Sequence, residues 1–285
     1  MKNKSLNIKG KLLSLEKPVV MGILNVTPDS FFTGSRMQHE AAVTGRIEAI
    51  ISEGGAIVDI GGYSSRPGAD DVTPEEEWSR LEPAFKIMAR NFPKTPTSVD
   101  TFRAEIAKRA VTEYGAAIIN DISGGMDESM FARVAELNVP YVLTHFHGTP
   151  FHLSHPIAFH PEDEKKQLLQ EEVVMYFAEK LQILRRLGVN DVILDPGFGF
   201  GKTLEQNYEL IRCLKNFSIF FDCPLLVGIS RKSMIYNLLD STADDSLNGT
   251  TVLNVYSLLN GADILRVHDV KAAVEAVKLI DKIKN

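Results

Sequence analysis

Residues 97–121, which read TSVDTFRAEIAKRAVTEYGAAIIND, hold one complete strand–helix–strand unit of the chain. The runs at 97–100 and 116–121 have the length and composition of buried strands, and residues 103–114 between them have a helical period. Gly115 follows the helical stretch directly, where a helix commonly ends. Two strands joined by a crossover helix normally lie parallel in one sheet, so this unit predicts a parallel α/β fold.

The same alternation extends in both directions from this unit. The eight predicted strands are Val19–Asn25, Ala56–Gly61, Thr97–Asp100, Ala116–Asp121, Pro140–Phe146, Asp191–Pro196, Pro224–Ser230 and Ala262–Val267. The eight predicted helices lie at about 39–53, 74–91, 103–114, 127–138, 162–187, 204–215, 246–260 and 271–283.

No Pro- or Ser-rich linker interrupts these eight strand–helix pairs. They therefore predict a single (β/α)8 TIM barrel over residues 1–285, as one domain. A doubly wound open sheet is the alternative, because the sequence alone does not show that the sheet closes. Residues 5–17 precede the first barrel strand, and we expect them to form a β-hairpin that closes the bottom of the barrel.

Charge and composition exclude several classes of protein. Lys plus Arg number 31 and Asp plus Glu 37, a formal net charge of −6, so there is no bulk attraction to nucleic acid or to an anionic membrane surface. No stretch approaches the roughly 20 apolar residues that span a bilayer. The two cysteines, Cys213 and Cys223, make no disulfide framework. These features predict a cytoplasmic protein with small-molecule partners.

All eight predicted strands end in polar residues. In a (β/α)8 barrel these ends share one mouth, where catalytic residues gather. One such Asp or Asn often only caps the next helix, but caps alone do not require so many ionisable groups. The pattern therefore predicts an active site, formed by Asn25, Gly61–Gly68, Asp100, Asn120–Asp121, His145 with His147, Asp195–Gly197, Ser230–Ser233 and Arg266 with His268 and Asp269.

Residue types at the mouth indicate an anionic ligand at one end of the site. Arg66, Lys232, Arg266 and His268 supply cationic or hydrogen-donating groups for an anion. Asn25 is a neutral oxygen donor near this end. Mg²⁺ commonly takes one or two protein ligands together with substrate phosphates, so a single amide would suffice.

The remaining polar groups suit the edge of a flat heterocycle. Asp100, Asn120 and Asp195 offer carboxylate and amide groups to a ring that carries several N–H donors and a carbonyl. A heterocycle with a phosphorylated leaving group is the substrate that the whole set predicts.

Three other motifs each suggest a different kind of site. Gly201-Lys202-Thr203 is like the end of a phosphate-binding P-loop, but Pro196 stands where that pattern needs glycine. Histidines are dense between His145 and His160, yet their spacing matches no standard zinc set. Lys232 is also a candidate Schiff-base lysine whose pKa the neighbouring Arg231 would lower, although no sugar-phosphate signature supports that interpretation.

Residues 21–31, MGILNVTPDSF, resemble the opening signature of the dihydropteroate synthases. The resemblance covers all eight predicted strands in order and continues through Gly61–Ala69, Ser98–Asp100, Ile118–Ile122, Leu194–Thr203, Leu226–Met234 and Arg266–Val270. It implies a pterin-binding barrel enzyme of folate biosynthesis. Such an enzyme joins 6-hydroxymethyl-7,8-dihydropterin diphosphate to p-aminobenzoate, with Mg²⁺, is a sulfonamide target and forms a homodimer.

The resemblance also implies roles for individual residues. The pterin ring would be held by Asp100, Asn120, Asp195 and Lys232. The diphosphate would be bound by Asn25, Arg66, Arg266 and His268, with Asn25 as the ligand of the metal. The p-aminobenzoate pocket would comprise Ser65, Arg66, Pro67, Phe200 and Ser233, beside Lys232. The catalytic set would be Asp100, Lys232, Arg266 and His268, with diphosphate leaving first to give a pterin cation.

Two other functions remain open at this point. A related pterin-binding methyltransferase domain would share Asn25, Asp100, Asn120 and Asp195 but would bind a methylated folate and work with a corrinoid partner. It would not need the anion cluster at 230–233 and 266–269. A catalytically silent pterin-binding protein would have lost part of that cluster. The chain departs from the family at Tyr63 and Ser65, in a segment that usually reads Gly-Glu-Ser-Thr-Arg-Pro, and also at Phe32 and Thr144.

Overall fold

The computed structural model describes residues 5–27, 36–63, 72–146 and 169–284. The strands are β1 (Ser5–Ile8), β2 (Lys11–Ser14), β3 (Val19–Asn25), β4 (Ile57–Gly61), β5 (Thr97–Asp100), β6 (Ile118–Asp121), β7 (Tyr141–Thr144), β8 (Val192–Asp195), β9 (Leu226–Val227) and β10 (Ile264–Val267). The helices are α1 (Arg36–Ser52), α2 (Pro74–Asn91), α3 (Ala104–Tyr114), α4 (Met130–Leu137), α5 (Leu169–Arg186), α6 (Leu204–Arg212), α7 (Leu214–Phe220), α8 (Ser233–Tyr236), α9 (Leu247–Leu259) and α10 (Val270–Lys284).

Eight of these strands form one parallel sheet in the order β8-β7-β6-β5-β4-β3-β10-β9. A parallel bridge between Leu194 and Leu225 joins the two ends of this sheet. The Leu194 N–H also donates to the Pro224 carbonyl at 2.9 Å. The sheet therefore closes on itself, so the predicted (β/α)8 barrel is confirmed and the open-sheet alternative is wrong.

Successive residues of each strand face opposite sides of the barrel wall, and this period of two divides the core. One set packs outward under the helices and includes Val20, Leu24, Val58 and Ile60. The other set fills the barrel and comprises Met21, Ile57, Ile118, Val142, Ile193, Leu226 and Ile264, with Ala117 beside them.

The hairpin of β1 and β2 packs against the inner set. Its antiparallel pairing runs from Ser5 with Ser14 to Ile8 with Lys11. Leu6 is fully buried and Leu15 nearly so, and both join the inner cluster at the bottom of the barrel. The predicted hairpin and its position are confirmed, and the lower half of the barrel is an apolar plug.

On five of these strands the next inward position, two residues further along the chain, is polar. These positions hold Asp59, Asn120, Thr144, Asp195 and Arg266, directly above the apolar plug. The change from apolar to polar along the barrel axis places the polar groups at the carboxyl ends of the strands, as in other barrels of this kind.

Helix ends follow the predicted local signals. The Thr73 hydroxyl accepts from the Glu76 N–H at 3.2 Å, which caps α2 in front of Pro74. Gly115 ends α3 in the left-handed region with a φ of 71°. Within the residues described, none of the helices combines the length and apolarity that crossing a membrane requires.

Two predicted elements are wrong in part. The helix predicted at 204–215 ends at Arg212, and α7 begins two residues later without a glycine or proline to signal the break. The strand predicted at 224–230 pairs only at Leu226–Val227, apart from the Leu225 bridge, because the chain then turns at Ile229 and Arg231. Lys232 N–H donates to the Ile229 carbonyl at 3.1 Å in that turn, and Arg231 has a φ of 56°.

Candidate active site

Arg266, on β10, joins two carboxylates at the centre of the mouth. Its Nε donates to Asp59 Oδ2 at 2.7 Å, and its Nη2 forms an ion pair with Asp100 Oδ2. Asn120 Nδ2 donates to the same Asp59 oxygen at 3.0 Å. Three predicted site residues, Asp100, Asn120 and Arg266, are therefore brought into one hydrogen-bonded network.

Asp59 is not among the residues that the sequence pattern predicts. It lies inside the apolar run of β4 rather than at its end, and its side chain is fully buried. A charged group within such a run is costly unless it is paired, and this is the signal that identifies it. Asp59 Oδ1 is buried and has no hydrogen-bond partner among the residues described.

Asp195 and Lys232 form the opposite side of the site. Asp195 Oδ1 accepts from the Gly197 N–H at 2.8 Å, and Lys232 Nζ donates to the Phe198 carbonyl. Lys232 Nζ also lies 4.3 Å from the centre of the Phe200 ring, a cation–π contact. The predicted residues Asp195, Lys232 and Phe200 thus lie together.

Burial governs the protonation of these groups. Desolvation lowers the pKa of Lys232 to about 8, and the Asp195 carboxylate opposes that change. Desolvation raises the pKa of Asp195, with Lys232 opposing. The pKa of Asp100 is also raised by burial, and the guanidinium of Arg266 opposes it. Each carboxylate depends on a facing cation to stay ionised.

Arg231 does not have the role that its place in the sequence indicates. Its Nε and Nη2 donate to the two oxygens of Asp269, both at 2.8 Å, and its Nη1 donates to the Ala243 and Asp244 carbonyls. The cation that helps burial to lower the pKa of Lys232 is Arg266. The hypothesis of an Arg231-activated Schiff-base lysine is therefore wrong about the neighbouring cation.

His268 is held by the hydroxyl of Ser230 and the guanidinium of Arg46. Its Nδ1 lies 3.2 Å from Ser230 Oγ, and its carbonyl accepts from Arg46 Nη2 at 2.6 Å. Burial, together with the charge of Arg266, lowers the pKa of His268 to about 4. The imidazole is therefore neutral near pH 7, and it is a hydrogen-bonding group rather than a cation.

Asn25 lies at the end of β3, paired with Gly61 of β4. A Cβ atom placed on Gly61 would be 3.6 Å from Asn25 Oδ1 and 3.3 Å from Asp100 Oδ2. The absence of a side chain at Gly61 thus leaves room between the amide and the carboxylate. Within the described ranges, no group of three or more His, Cys, Asp or Glu residues could hold a metal ion.

Of the residues predicted for the p-aminobenzoate pocket, the structure describes Phe200, which contacts Lys232, and Ser233, the next residue in the chain. Phe200 is 8% exposed, and Ser233 is exposed at the start of α8. The other predicted pocket residues lie outside the described residues, and their positions stay predictions: Ser65, Arg66 and Pro67. The same holds for the family signature from Pro28 to Phe31 and for Phe32, His147, His152, His155 and His160.

Two departures from the family pattern lie within the described residues. The Tyr63 ring packs edge-on against Phe102, with 5.0 Å between ring centroids, and the Arg103 guanidinium lies 5.6 Å from the Tyr63 ring. Thr144 is buried at an inward position of β7, and its Oγ1 has no hydrogen-bond partner within the described part of the chain.

The closed barrel and the charged groups at its mouth define a (β/α)8-barrel enzyme. Residues 21–268 match the sequence model of the family described as pterin binding enzyme. The chain belongs to the pterin-binding enzyme family.

Relatives and solved structures narrow this assignment. The dihydropteroate synthase of Escherichia coli (strain K12) is 39% identical over 275 residues, which cover 96% of this chain and 94% of that protein. The Xanthomonas albilineans dihydropteroate synthase with 4-aminobenzoic acid superposes with a TM-score of 0.88 at 33% identity, covering 99% of this chain and 98% of that one. The structure of a Yersinia pestis dihydropteroate synthase in complex with a sulfonamide drug superposes with a TM-score of 0.87 at 35% identity. The superposition covers 98% of this chain and 99% of that one.

Proposed function

We propose that the chain catalyses the dihydropteroate synthase reaction. In it, 6-hydroxymethyl-7,8-dihydropterin diphosphate and p-aminobenzoate give 7,8-dihydropteroate and diphosphate. The observation that carries this proposal is the network in which Arg266 joins Asp100 to Asn120 through Asp59, facing Asp195 and Lys232 across the mouth. A flat ring with hydrogen-bond donors on its edge and an anion on its side arm fits this arrangement of charges.

The pterin ring would lie between the two halves of the site. The carboxylates of Asp100 and Asp195 accept from ring N–H groups, and Asn120 contributes an amide whose orientation Asp59 fixes. Since a carboxylate only accepts, Asn120 directs its Nδ2 to Asp59 and has its oxygen available for a ring donor. Lys232, whose charge acts on Asp195, would donate from Nζ to the ring carbonyl.

The diphosphate would lie at the end of the site where β3, which ends in Asn25, pairs with β10, which carries Arg266 and is followed by His268, with Arg66 as a further cation. Neutral His268 donates a hydrogen bond without adding charge. The donor set fits a divalent ion that arrives with the substrate, because Asn25 offers one neutral oxygen and the phosphate oxygens of the substrate would supply further ligands. Mg²⁺ bound there would offset the charge of the leaving diphosphate.

We infer that the leaving group departs before the amine attacks. The bond between the pterin methylene carbon and the diphosphate oxygen breaks, and both electrons leave with diphosphate. The resulting cation is delocalised into the ring, where the negative charge of Asp100 stabilises it. The p-aminobenzoate nitrogen then forms the new C–N bond and loses one proton to solvent. Because an aryl amine is a weak nucleophile, a strong electrophile must form first.

The p-aminobenzoate would bind beside Lys232. The Phe200 ring supplies an apolar face, and Ser233 supplies a hydroxyl at the start of α8. A sulfonamide is bound in the Yersinia pestis relative. We therefore expect sulfonamides to compete with p-aminobenzoate in this chain.

We also propose that the chain forms a homodimer through its last helices. Large apolar side chains are exposed on α7, α9 and α10, and they are Ile219, Phe220, Val252, Tyr256, Leu259, Leu279 and Ile283. Helices α9 and α10 pack against each other, and exposed apolar side chains on adjacent helices are typical of a protein interface. The cytoplasmic location remains part of the proposal on the sequence grounds given above.

Product formation tests the proposed reaction directly. Purified protein is mixed with the dihydropterin diphosphate, p-aminobenzoate and Mg²⁺, and dihydropteroate and diphosphate are quantified together. We expect equal amounts of both products, and loss of both in the Asp100→Asn variant. Tight pterin binding without any diphosphate release would contradict the proposal and favour a methyltransferase or a silent pterin-binding protein.

A further inference from the structure

Lys202 belongs to the Gly201-Lys202-Thr203 motif that does not fit a P-loop. It follows β8, and its ammonium group donates to three backbone carbonyls: Gly197 at 2.8 Å, His145 at 3.1 Å and Phe200 at 3.1 Å. These carbonyls belong to two segments, the end of β7 and the turn after β8. The contacts therefore tie the turn at Gly197–Gly201 to the neighbouring strand.

The turn itself contains three glycines, whose backbone has no strong conformational preference of its own. Gly197, Gly199 and Gly201 have φ values of 72°, 79° and 64°, a region that glycine enters freely. The Gly197 backbone lies so close to β7 that a Cβ atom there would be 1.9 Å from the His145 carbonyl oxygen. This approach brings the three carbonyls within reach of one ammonium group.

The same turn positions two groups of the active site. The Phe198 carbonyl accepts from Lys232 Nζ, and the Phe200 ring lies 4.3 Å from that nitrogen. Gly199 lies against the Lys232 stem, since a Cβ atom on Gly199 would be 3.2 Å from Lys232 Cδ. A shift of the turn would therefore displace both the Phe200 ring and the Lys232 ammonium group.

We propose that Lys202 is a positioning residue for p-aminobenzoate binding, which it serves by holding the turn that carries Phe200 and contacts Lys232. This role rests on the proposed function, because it assigns Phe200 and Lys232 to the p-aminobenzoate pocket. A lysine suits the place because its one nitrogen carries three rotatable donors, one for each carbonyl. The hydrogen bonds of Lys202 given above all go to backbone atoms, so it holds the turn, and its charge also acts on the Asp195 carboxylate.

The kinetic test compares Lys202→Met with Lys9→Met. Lys9 is the matched control, because its ammonium group also donates to a backbone carbonyl, that of Gly115, but belongs to the hairpin at the bottom of the barrel. We expect Lys202→Met to raise the KM for p-aminobenzoate about tenfold or more, by misplacing the pocket. The KM for the dihydropterin diphosphate should rise less, because only two of its four ring contacts, Asp195 and Lys232, touch the turn. Asp100 and Asn120 hold the ring from strands that the turn does not move.

A conservative variant and a second measurement complete the test. Lys202→Arg keeps a cation with several donors but cannot direct three of them from one atom, so we expect an intermediate KM for p-aminobenzoate. Hydrogen–deuterium exchange of a peptide spanning residues 197–203 requires no activity. We expect faster exchange of the Gly199 and Phe200 amides in Lys202→Met than in the wild-type chain, and no change there in Lys9→Met.

The outcomes separate this inference from the proposed function. If the wild-type chain makes no dihydropteroate, the proposed function fails, and the exchange measurement still decides whether Lys202 holds the turn. If the wild-type chain makes product while Lys202→Met keeps both KM values and its exchange, the inference fails. It also fails if Lys202→Met only lowers the folded fraction, with faster exchange over the whole barrel and unchanged KM values.

Discussion

Arg266 shows how one residue organises the chemistry of the site. It is paired with two carboxylates, and its side chain and that of Asp100 are each only 15% exposed. Removing the partner of a buried charge is costly because the remaining charge is left without compensation. The network of Asp59, Asp100, Asn120 and Arg266 therefore behaves as a unit, and changes to one member should affect the others.

Asp59→Asn tests this unit without altering side-chain shape. The substitution removes the charge that faces Arg266, and an amide can also turn either end toward Asn120, so the orientation of Asn120 is no longer fixed. We expect kcat/KM to fall about a hundredfold, the size of effect that follows from a misplaced group of this kind. The measurement is steady-state kinetics beside thermal unfolding.

Asp281→Asn is the matched control for Asp59→Asn. Asp281 forms a surface pair with Lys17 at 2.8 Å, and surface pairs contribute little to stability. The Asp281→Asn variant should retain wild-type kinetics. Wild-type activity in Asp59→Asn itself would show that Asp59 has no influence on the site.

The protonation of Lys232 predicts a pH dependence. A lysine whose pKa is lowered to about 8 loses its charge once the pH rises above that value, and with it the attraction to Asp195. We expect kcat/KM to decline on the alkaline side of about pH 8. In Lys232→Arg, which stays charged, the residual activity should lack this decline. If the decline above about pH 8 persists in Lys232→Arg, another group causes it.

At the level of single residues, position along a strand decides what the sequence can predict. Asp100, Asn120, Asp195 and Arg266 could be identified because each lies at or next to the end of a strand that the alternation of strands and helices locates. Asp59 could not be identified in this way, because it stands in mid-strand and only its partners explain its burial. The direction in which a side chain points also could not be predicted, as Arg231 shows, because its guanidinium pairs with Asp269.

Among the elements, the hairpin of β1 and β2 has a structural role separate from the chemistry. Leu6 is fully buried in the apolar plug, whereas Leu12, in the same hairpin, is 76% exposed. We expect Leu6→Ala to lower the free energy of unfolding by about 3 kcal/mol, through lost burial and an unfilled cavity. Leu12→Ala should leave it nearly unchanged. Urea denaturation of the two variants measures the difference.

The contrary result for the hairpin would be equal stability of Leu6→Ala and Leu12→Ala. A second check is catalytic. The folded fraction of Leu6→Ala should retain the wild-type KM values, because the hairpin lies at the end of the barrel away from the site.

Element boundaries were predictable wherever a local signal marks them. The Thr73-Pro74 pair fixes the start of α2, and Gly115 fixes the end of α3. Between α6 and α7 the chain breaks at Cys213 without such a residue, so the break follows from packing and not from local preference. The short pairing of β9 likewise depends on the turn that positions Lys232.

For the whole molecule, the proposed dimer makes a further prediction. The native mass in solution should be twice the chain mass of 31.6 kDa, as measured by light scattering after size-exclusion chromatography. Val252→Glu places a charge on the exposed apolar face of α9 and should shift the protein toward the monomer. Met175 is exposed on α5, away from these helices in the chain, and Met175→Glu is the control that should remain a dimer. A monomeric wild-type chain would refute this part of the account.

The closed barrel is the property of the whole molecule that the sequence predicts only in part. Repeated strands and helices predict parallel order, but closure depends on contacts between β8 and the segment before β9, which are distant in the sheet order. The site follows from closure, since only a closed barrel brings Asp100 and Arg266 to face Asp195 and Lys232. That the whole chain forms a single domain stays a prediction.

Positional isotope exchange shows whether the pterin diphosphate ionises in the active site before the amine attacks. Substrate carrying ¹⁸O in the bridge between the methylene carbon and phosphorus is incubated with the protein and Mg²⁺, without p-aminobenzoate. The account predicts that recovered substrate has the label distributed into non-bridging positions. Label that stays in the bridge, in protein that turns over normally once p-aminobenzoate is added, would contradict it.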